Sequence, residues 1–123
     1  MQKHTFISSL AFVGLLACLT ACNSTQALFK QAVRKFDNGE YDLAIKDLRT
    51  VAAANYEPGR TNYLLAESYR MSNRFVLASS YYQKALDNGM TNPEVAFNYA
   101  FALKAEGKYS EAIAQLEKYV STN

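Results

Sequence analysis

Similar residues recur along this chain at a fixed spacing. The segments 25–58, 59–92 and 93–123 align without a gap, and similar residues occur at five places in each. The recurring triplets are Ala32, Ala66 and Ala100; Gly39, Asn73 and Gly107; Tyr41, Phe75 and Tyr109; Ala44, Ala78 and Ala112; and Leu48, Tyr82 and Leu116. Spacings of this size are typical of arrays in which each unit buries its apolar face against its neighbours. The repeat therefore predicts a stacked array.

Each unit has the pattern of two helices. Apolar residues recur at helical spacing, as at Leu43, Ile45 and Leu48 in the first unit. The triplet of two glycines and an asparagine lies just past the first helix of each unit, where a left-handed residue commonly closes a helix. Pro58 and Pro93 mark the seams between units. We predict no strand and six helices, at 26–37, 41–54, 60–71, 75–88, 93–105 and 109–121.

A period of about 34 residues, with small residues at the eighth and twentieth places and a large residue at the twenty-fourth, resembles the tetratricopeptide repeat. The resemblance covers 25–123. It implies an all-α fold in which three helix-turn-helix units stack as a right-handed α-solenoid, with the first helix of each unit (helix A) on the concave face. The alanines pair where helix A crosses the second helix (helix B). The first unit departs from the family pattern at Gln31 and Lys35, where the family has large apolar residues.

The resemblance also implies which residues line the concave face. The partner-binding residues expected there are Phe29, Val33, Phe36, Tyr63, Glu67, Arg70, Met71, Phe97, Phe101 and Lys104. An apolar groove with few charges suits a helix or an extended peptide, and aromatic side chains serve as anchors. The alternative is that some of these aromatic residues are core, because the fifth place of each unit is partly buried between units.

Family members that bind chaperone C-termini hold the terminal carboxylate with Lys, Arg and Asn side chains in this groove. The fifth and ninth places of this chain carry other residues, namely Phe29 and Val33, Tyr63 and Glu67, and Phe97 and Phe101. The carboxylate clamp is missing from these places. We therefore do not expect this chain to bind chaperone C-termini.

The N-terminal segment 1–21 has the pattern of a signal peptide. The stretch 6–18 is apolar but short for a membrane span, which needs roughly 20 apolar residues. The sequence Leu-Thr-Ala-Cys at 19–22 resembles the lipobox of bacterial lipoproteins. That resemblance implies cleavage before Cys22, acylation of Cys22, a tether at 22–25 and a repeat domain at 26–123. The alternatives are an ordinary secretory peptide and an uncleaved anchor helix.

The residues after Cys22 bear on where such a lipoprotein would be sorted. Asn23 stands where aspartate would retain an enterobacterial lipoprotein in the inner membrane, and no acidic run follows as in the surface-export signal of Bacteroidota. By these family rules we expect a lipid anchor in the outer membrane, with the protein on its periplasmic face.

Reactive side chains are scarce in this chain. Its single histidine is His4 and its two cysteines are Cys18 and Cys22, so none of them lies beyond the predicted cleavage site except Cys22 itself. A chain cleaved before Cys22 therefore has no catalytic triad, no Cys–His pair, no histidine-ligated metal and no internal disulfide. The formal net charge is only +2, and no basic block suggests nucleic acid as a partner. We expect a protein that is not an enzyme and carries no cofactor or metal apart from the lipid on Cys22.

These observations together predict a non-catalytic adaptor that holds another envelope protein at the outer membrane, in envelope assembly or secretion. The alternatives are a pilotin-like factor for secretin or pilus assembly, a β-barrel assembly lipoprotein and a periplasmic cell-wall enzyme. The stretches 65–70 and 99–107 resemble a Bacteroidota group in which this module precedes an OmpA-like domain.

The last predicted helix carries four apolar residues, Ile113, Leu116, Tyr119 and Val120, and this chain continues only to Asn123. Two of the four could turn inward onto helix A of the third unit. We expect the remainder to form an adhesive surface that self-associates through the C-terminal helix, or that needs a partner or a further domain to cover it.

Overall fold

The computed structural model describes the backbone of residues 7–121 and the side chains of residues 21 and 23–121. This part of the chain forms six α-helices and no strand, which confirms the all-α prediction. The helices are α1 (Ile7–Asp37), α2 (Tyr41–Ala53), α3 (Pro58–Met71), α4 (Phe75–Asp87), α5 (Pro93–Ala105) and α6 (Tyr109–Ser121).

The six helices stack in chain order as three pairs, α1 with α2, α3 with α4, and α5 with α6. Consecutive pairs join where α2 contacts α3 and where α4 contacts α5, and α1 also contacts α3. One apolar core runs through all three pairs. The predicted α-solenoid of three helix-turn-helix units is therefore confirmed.

The alanines predicted at the helix crossings are all buried: Ala32, Ala44, Ala66, Ala78, Ala100 and Ala112. A methyl side chain lets two helix backbones approach closely, whereas a larger residue at a filled site would force side chains off their preferred rotamers. These positions set the distance between the two helices of each repeat, and hence the shape of the surface that helix A presents.

The turn that follows helix A uses the same backbone conformation in every repeat. Gly39, Asn73 and Gly107 have φ angles of 76°, 59° and 80°, in the left-handed region predicted for them. After each of them a backbone N–H reaches back to the last turn of helix A, as from Glu40 to the Lys35 carbonyl oxygen at 2.9 Å. This hydrogen bond satisfies a carbonyl that the helix end would leave unpaired.

Gly59 allows close packing between the two ends of the second repeat. A Cβ atom at Gly59 would lie 2.8 Å from the carbonyl oxygen of Asn88 and 3.1 Å from the Met90 side chain. Asn88 and Met90 belong to the turn between α4 and α5, so the absence of a side chain at Gly59 allows the start of α3 to pack against this turn.

The start of the first helix differs from the prediction. Helix α1 does not begin at residue 26 but runs without a break from Ile7 to Asp37. No proline interrupts this stretch, and the hydroxyls of Ser24 and Thr25 donate to the Ala21 carbonyl oxygen at 2.8 and 3.0 Å within the helix. The predicted cleavage before Cys22 stays a prediction, because the Cys22 side chain and residues 1–6 lie outside the described residues.

Candidate functional site

The predicted partner-binding residues lie on α1, α3 and α5, the helices A of the three repeats. The structure separates them into three environments instead of one uniform groove. In the first repeat most of them pack into the protein. In the second, Tyr63, Glu67 and Arg70 surround a polar network and Met71 is exposed. In the third they are exposed.

In the first repeat, Phe29 is a core residue. Its ring packs against Tyr56 at 5.5 Å between ring centroids, and the Arg60 guanidinium lies 5.1 Å from the ring centroid. Phe36 is half-buried and meets Tyr41 edge to face at 5.7 Å. Val33 is also half-buried. Phe29 therefore has little surface to offer a partner, and Val33 and Phe36 have only part of theirs.

In the second repeat, the carboxylate of Glu67 is buried and surrounded by donors. The Arg70 guanidinium donates to it through Nη2 at 2.6 Å and Nε at 3.3 Å. The Asn98 amide donates to Oε1 at 2.9 Å, and the Tyr82 hydroxyl donates to the same oxygen. A buried carboxylate is stable when it is paired and its lone pairs accept hydrogen bonds, and this one meets both conditions.

The two tyrosines around this carboxylate hold their protons tightly. Burial, reinforced by the charges of Glu67 and Glu94, raises the pKa of Tyr63 to about 12. Burial and the neighbouring Glu67 also raise the pKa of Tyr82 well above its usual value. The hydrogen bond to Glu67 raises the pKa of Arg70. The two tyrosine hydroxyls and the Arg70 guanidinium of the Glu67 network therefore keep their protons at neutral pH.

In the third repeat, Phe97, Phe101 and Lys104 are exposed. Together with Tyr109, Ile113 and Leu116 of α6, and the two alanines at the helix crossing, they line a hollow of about 300 Å³ between α5 and α6. Phe97 also packs against Tyr119 at 5.8 Å, and Phe101 meets Phe75 edge to face at 6.1 Å. The hollow is apolar apart from Lys104, and it lies at the end of the stack formed by α5 and α6.

Two residues of the Glu67 network, Tyr82 and Asn98, were not among the predicted site residues. A signal for Tyr82 exists in the repeat alignment. Tyr82 occupies the place of Leu48 and Leu116, while Glu67 occupies a place that is apolar in the other repeats. Polar residues in two columns that are otherwise apolar indicate a buried hydrogen bond between them.

The described side chains contain no group of three or more His, Cys, Asp and Glu residues that could hold a metal ion. Over residues 7–121, no helix is long and apolar enough to cross a membrane. The predicted site residues therefore provide a surface of exposed apolar side chains and the partly exposed guanidinium of Arg70. The row of helices holds these side chains in place.

Paired helices that recur with the same crossing alanines and the same left-handed turn define a repeat protein of the α-solenoid class. The chain belongs to the tetratricopeptide repeat family, whose model matches residues 29–93. This confirms the resemblance in the sequence. A search of curated protein sequences finds no relative that matches this chain.

Several solved structures share the fold. The chaperone SycD of the Yersinia enterocolitica type III secretion system, in complex with a peptide of the translocator YopD, superposes with a TM-score of 0.72 at 20% identity, over 79% of this chain and 74% of that one. A mutant of MamA gives 0.76 at 22% identity, over 81% and 73%. The first such domain of Spaghetti (RPAP3), bound to the HSP90 peptide SRMEEVD, gives 0.71 at 21% identity, over 79% and 77%. The fold supports a role in protein–protein interaction.

Proposed function

We propose that this protein is a lipid-anchored adaptor of the bacterial envelope. In this proposal Cys22 carries the lipid, the outer membrane holds it, and helices A bind a helix or an extended peptide of another envelope protein. The role belongs to envelope assembly or secretion. The observation that carries the proposal is the combination of a lipobox-like sequence at 19–22 with a tetratricopeptide fold directly after it.

The adaptor part is supported by the surface of helices A. Met71 at the end of α3 and the two phenylalanines of α5 expose large apolar side chains, and exposed side chains of this kind are typical of binding surfaces. Solved relatives of the same fold bind peptides, as SycD binds a peptide of YopD. The HSP90 peptide of Spaghetti does not transfer as a ligand, because the clamp residues are missing here at the fifth and ninth places.

The anchor is tested by replacing the acylated cysteine. Cys22→Ser should abolish incorporation of labelled palmitate and leave an unlipidated, uncleaved precursor, because serine offers no thiol to acylate. Cys18→Ser is the matched control and should be labelled and sorted as the wild type. Palmitate on the Cys22→Ser protein would show that the lipobox interpretation is wrong.

The adaptor surface is tested by crosslinking in cells. A photo-reactive amino acid at Met71 on α3 should yield an adduct with another envelope protein, whereas the same group at Leu43 on α2 should not. The two side chains are matched in exposure, at 46% and 50%, so the comparison depends on which helix carries the group. Equal labelling from both positions would contradict a binding surface on helices A.

Two substitutions separate anchors from core residues. Phe101→Ala and Phe36→Ala should each weaken partner capture by about 1 kcal/mol or more if the rings are anchors. Phe101 is the more exposed of the two, so its replacement should leave the melting temperature nearly unchanged. A loss of several degrees with normal binding of the refolded variants would identify these side chains as core.

A further inference from the structure

At the end of the stack formed by α5 and α6 lies an apolar surface that no described helix covers, which we call the end face. It consists of Phe97, Phe101, Tyr109, Ile113 and Leu116. Leu116 and the alanines at the helix crossing form its floor, and the two phenylalanines and Ile113 are at least half exposed. A contiguous apolar surface of this kind on a folded protein marks an interaction site.

The same surface occurs once more in the molecule, two repeats earlier in the chain. The first repeat has Phe29, Val33, Tyr41, Ile45 and Leu48 at the equivalent places, so every residue but Val33 is identical. There the surface is covered by α3, which contacts both α1 and α2.

The end face and the equivalent surface of the first repeat differ in exposure. Phe29 is 3% exposed and Phe97 is 50%; Ile45 is 6% and Ile113 is 56%; Leu48 is 0% and Leu116 is 38%. The residues are the same, and the difference is the helix that lies on them. Helix α3 is therefore a template, within the same molecule, for what the end face can hold.

The side chains of α3 indicate which kind of helix would fit the end face. On α3 the buried residues include Thr61, Leu64, Leu65 and Ser68, that is, two adjacent leucines with a small hydroxyl residue about one turn on either side. Arg60, just before them, places its guanidinium over the Phe29 ring. Leu64 and Leu65 are at the places of Asn98 and Tyr99, which contact Glu67 and Gln83 of the repeat before them. By this equivalence a helix with the α3 pattern places its two leucines against the hollow and adds a cation over the aromatic ring at its edge.

The second repeat shows what the end face does not fit. Its equivalent surface carries Glu67, Ser79 and Tyr82, and α5 covers it with matching polar groups such as Asn98. Replacing these groups with Phe101, Ile113 and Leu116 would leave the polar side chains of an α5-like helix without partners. A buried polar group that loses its hydrogen bond is costly, so the end face selects an α3-like helix over an α5-like helix.

A second copy of this chain stacked head to tail is also a poor fit. The places on α1 that correspond to Leu64, Leu65 and Ser68 are Lys30, Gln31 and Arg34. All three are exposed in the structure. Stacking α1 on the end face would bury two cations against apolar side chains, which is strongly unfavourable.

We infer that the end face binds an amphipathic helix of a partner protein, with two adjacent leucines flanked by small hydroxyl residues on its contact side. The inference does not depend on the lipid anchor, but the end face shares Phe97 and Phe101 with the surface of helices A. Tyr109, Ile113 and Leu116 extend this surface onto α6. A helix bound there would repeat the contact that α3 already makes with the first repeat.

The chain supplies its own probe. A fluorescent peptide of residues 57–72 contains the whole of α3, and it should bind the purified full chain, kept in mild detergent, with saturable fluorescence anisotropy. Ile113→Lys should weaken binding at least tenfold, because it places a charge in the hollow. Val76→Lys on α4 is the matched control, since Val76 is an exposed apolar residue outside the end face, and it should bind as the wild type. The same peptide carrying Leu65→Asp should not bind.

A photo-reactive group at Leu65 of the peptide locates the site. Crosslinks to α6 are expected, and crosslinks to α2 would mean that the peptide replaces α3 in the first repeat, which would overturn the inference. Absence of binding to the wild type would overturn it too, as would equal weakening by Ile113→Lys and Val76→Lys. Sedimentation provides a further test. If the wild type forms a dimer that Ile113→Lys disrupts, and if this dimer does not bind the peptide, then a second copy of this chain occupies the end face, which would also overturn the inference. Phe101→Asn serves as a second variant of the end face if Ile113→Lys fails to fold.

Discussion

The two boundaries between repeats in this molecule are built from different chemistry. Between the first and second repeats, Ile45 and Leu48 pack against α3 in an apolar contact. Between the second and third, the equivalent residues are Ser79 and Tyr82, and hydrogen bonds cross the boundary. Ser79 donates to Glu106, the Tyr99 hydroxyl donates to Gln83 at 3.3 Å, and Asn98 reaches Glu67.

The comparison shows that one backbone arrangement can be stabilised in two ways. An apolar boundary gains free energy from burial and accepts apolar helices of similar shape. A polar boundary gains less from burial but accepts only a helix whose donors match its acceptors. The first boundary therefore contributes mainly stability, and the second contributes mainly specificity for the correct neighbour.

The largest effect should come from the apolar boundary. Leu48→Ala should lower the free energy of unfolding by about 3 kcal/mol, because it leaves a cavity under α3. Leu116→Ala removes the same side chain at the equivalent place of the third repeat, where no described helix covers it, and should cost about 1 kcal/mol or less. Urea denaturation followed by circular dichroism measures both. Equal losses would show that the end face is as well packed as the first boundary.

The second largest effect should come from substitution at the polar boundary. Glu67→Ala removes the common acceptor of Arg70, Tyr82 and Asn98, and we expect a loss of about 2 kcal/mol because buried donors are left unpaired. Glu67→Gln retains an acceptor and should cost clearly less. If the two variants are equally stable in urea denaturation, the hydrogen bonds do not stabilise this boundary.

The polar boundary should also be weaker in alkaline solution. The pKa of Tyr82 is higher in the folded protein than the ordinary value of about 10 that it has when unfolded, so unfolding above that pH releases a proton. The stabilisation is complete below about pH 10 and falls by about 1.4 kcal/mol per pH unit above it, until the folded pKa is reached. The free energy of unfolding, measured by denaturation between about pH 9 and pH 11, should fall less steeply with pH for Tyr82→Phe than for the wild type. If the free energy of unfolding falls equally steeply in both proteins, Tyr82 is not the source of the pH dependence.

A smaller effect, of opposite sign, is expected in the third repeat. The side-chain oxygen of Gln115 is buried without a hydrogen-bond partner in the structure. Gln115→Leu should raise the free energy of unfolding by about 1 kcal/mol, because the unpaired acceptor is removed and the volume is nearly kept. Thermal denaturation of the variant measures the gain. A lower melting temperature would show that Gln115 has a partner in solution.

The smallest effect should come from the ion pair on the surface of the first boundary. Arg74 donates to Asp42 across the two repeats, but both side chains are well exposed. Exposed pairs contribute about 0.5 kcal/mol, and salt screens them. A double-mutant cycle of Arg74→Ala and Asp42→Ala at low and high ionic strength measures the coupling, which should disappear in high salt. A coupling that persists there would make this pair a structural link between the repeats.

The sequence by itself determined the family, the number of helices and most of their bounds. All helices after α1 begin and end within two positions of the predicted limits, because glycine, asparagine and proline impose local backbone conformations that need no tertiary contact. The predicted start of α1 at residue 26 was wrong, because the lipobox resemblance predicts where a chain is cut and not where a helix begins. The predicted end of α1 at residue 37 is confirmed.

Tertiary structure alone decided which predicted binding residues are accessible. Phe29 and Phe97 are the same residue at the same place of the repeat, yet α3 buries the first and no described helix covers the second. Glu67 lies at a place predicted to face a partner, and it faces Asn98 and Tyr82 instead. A local pattern determines which side of a helix is apolar. What lies against that side depends on the neighbouring unit, because each repeat buries its surface only on the repeats beside it.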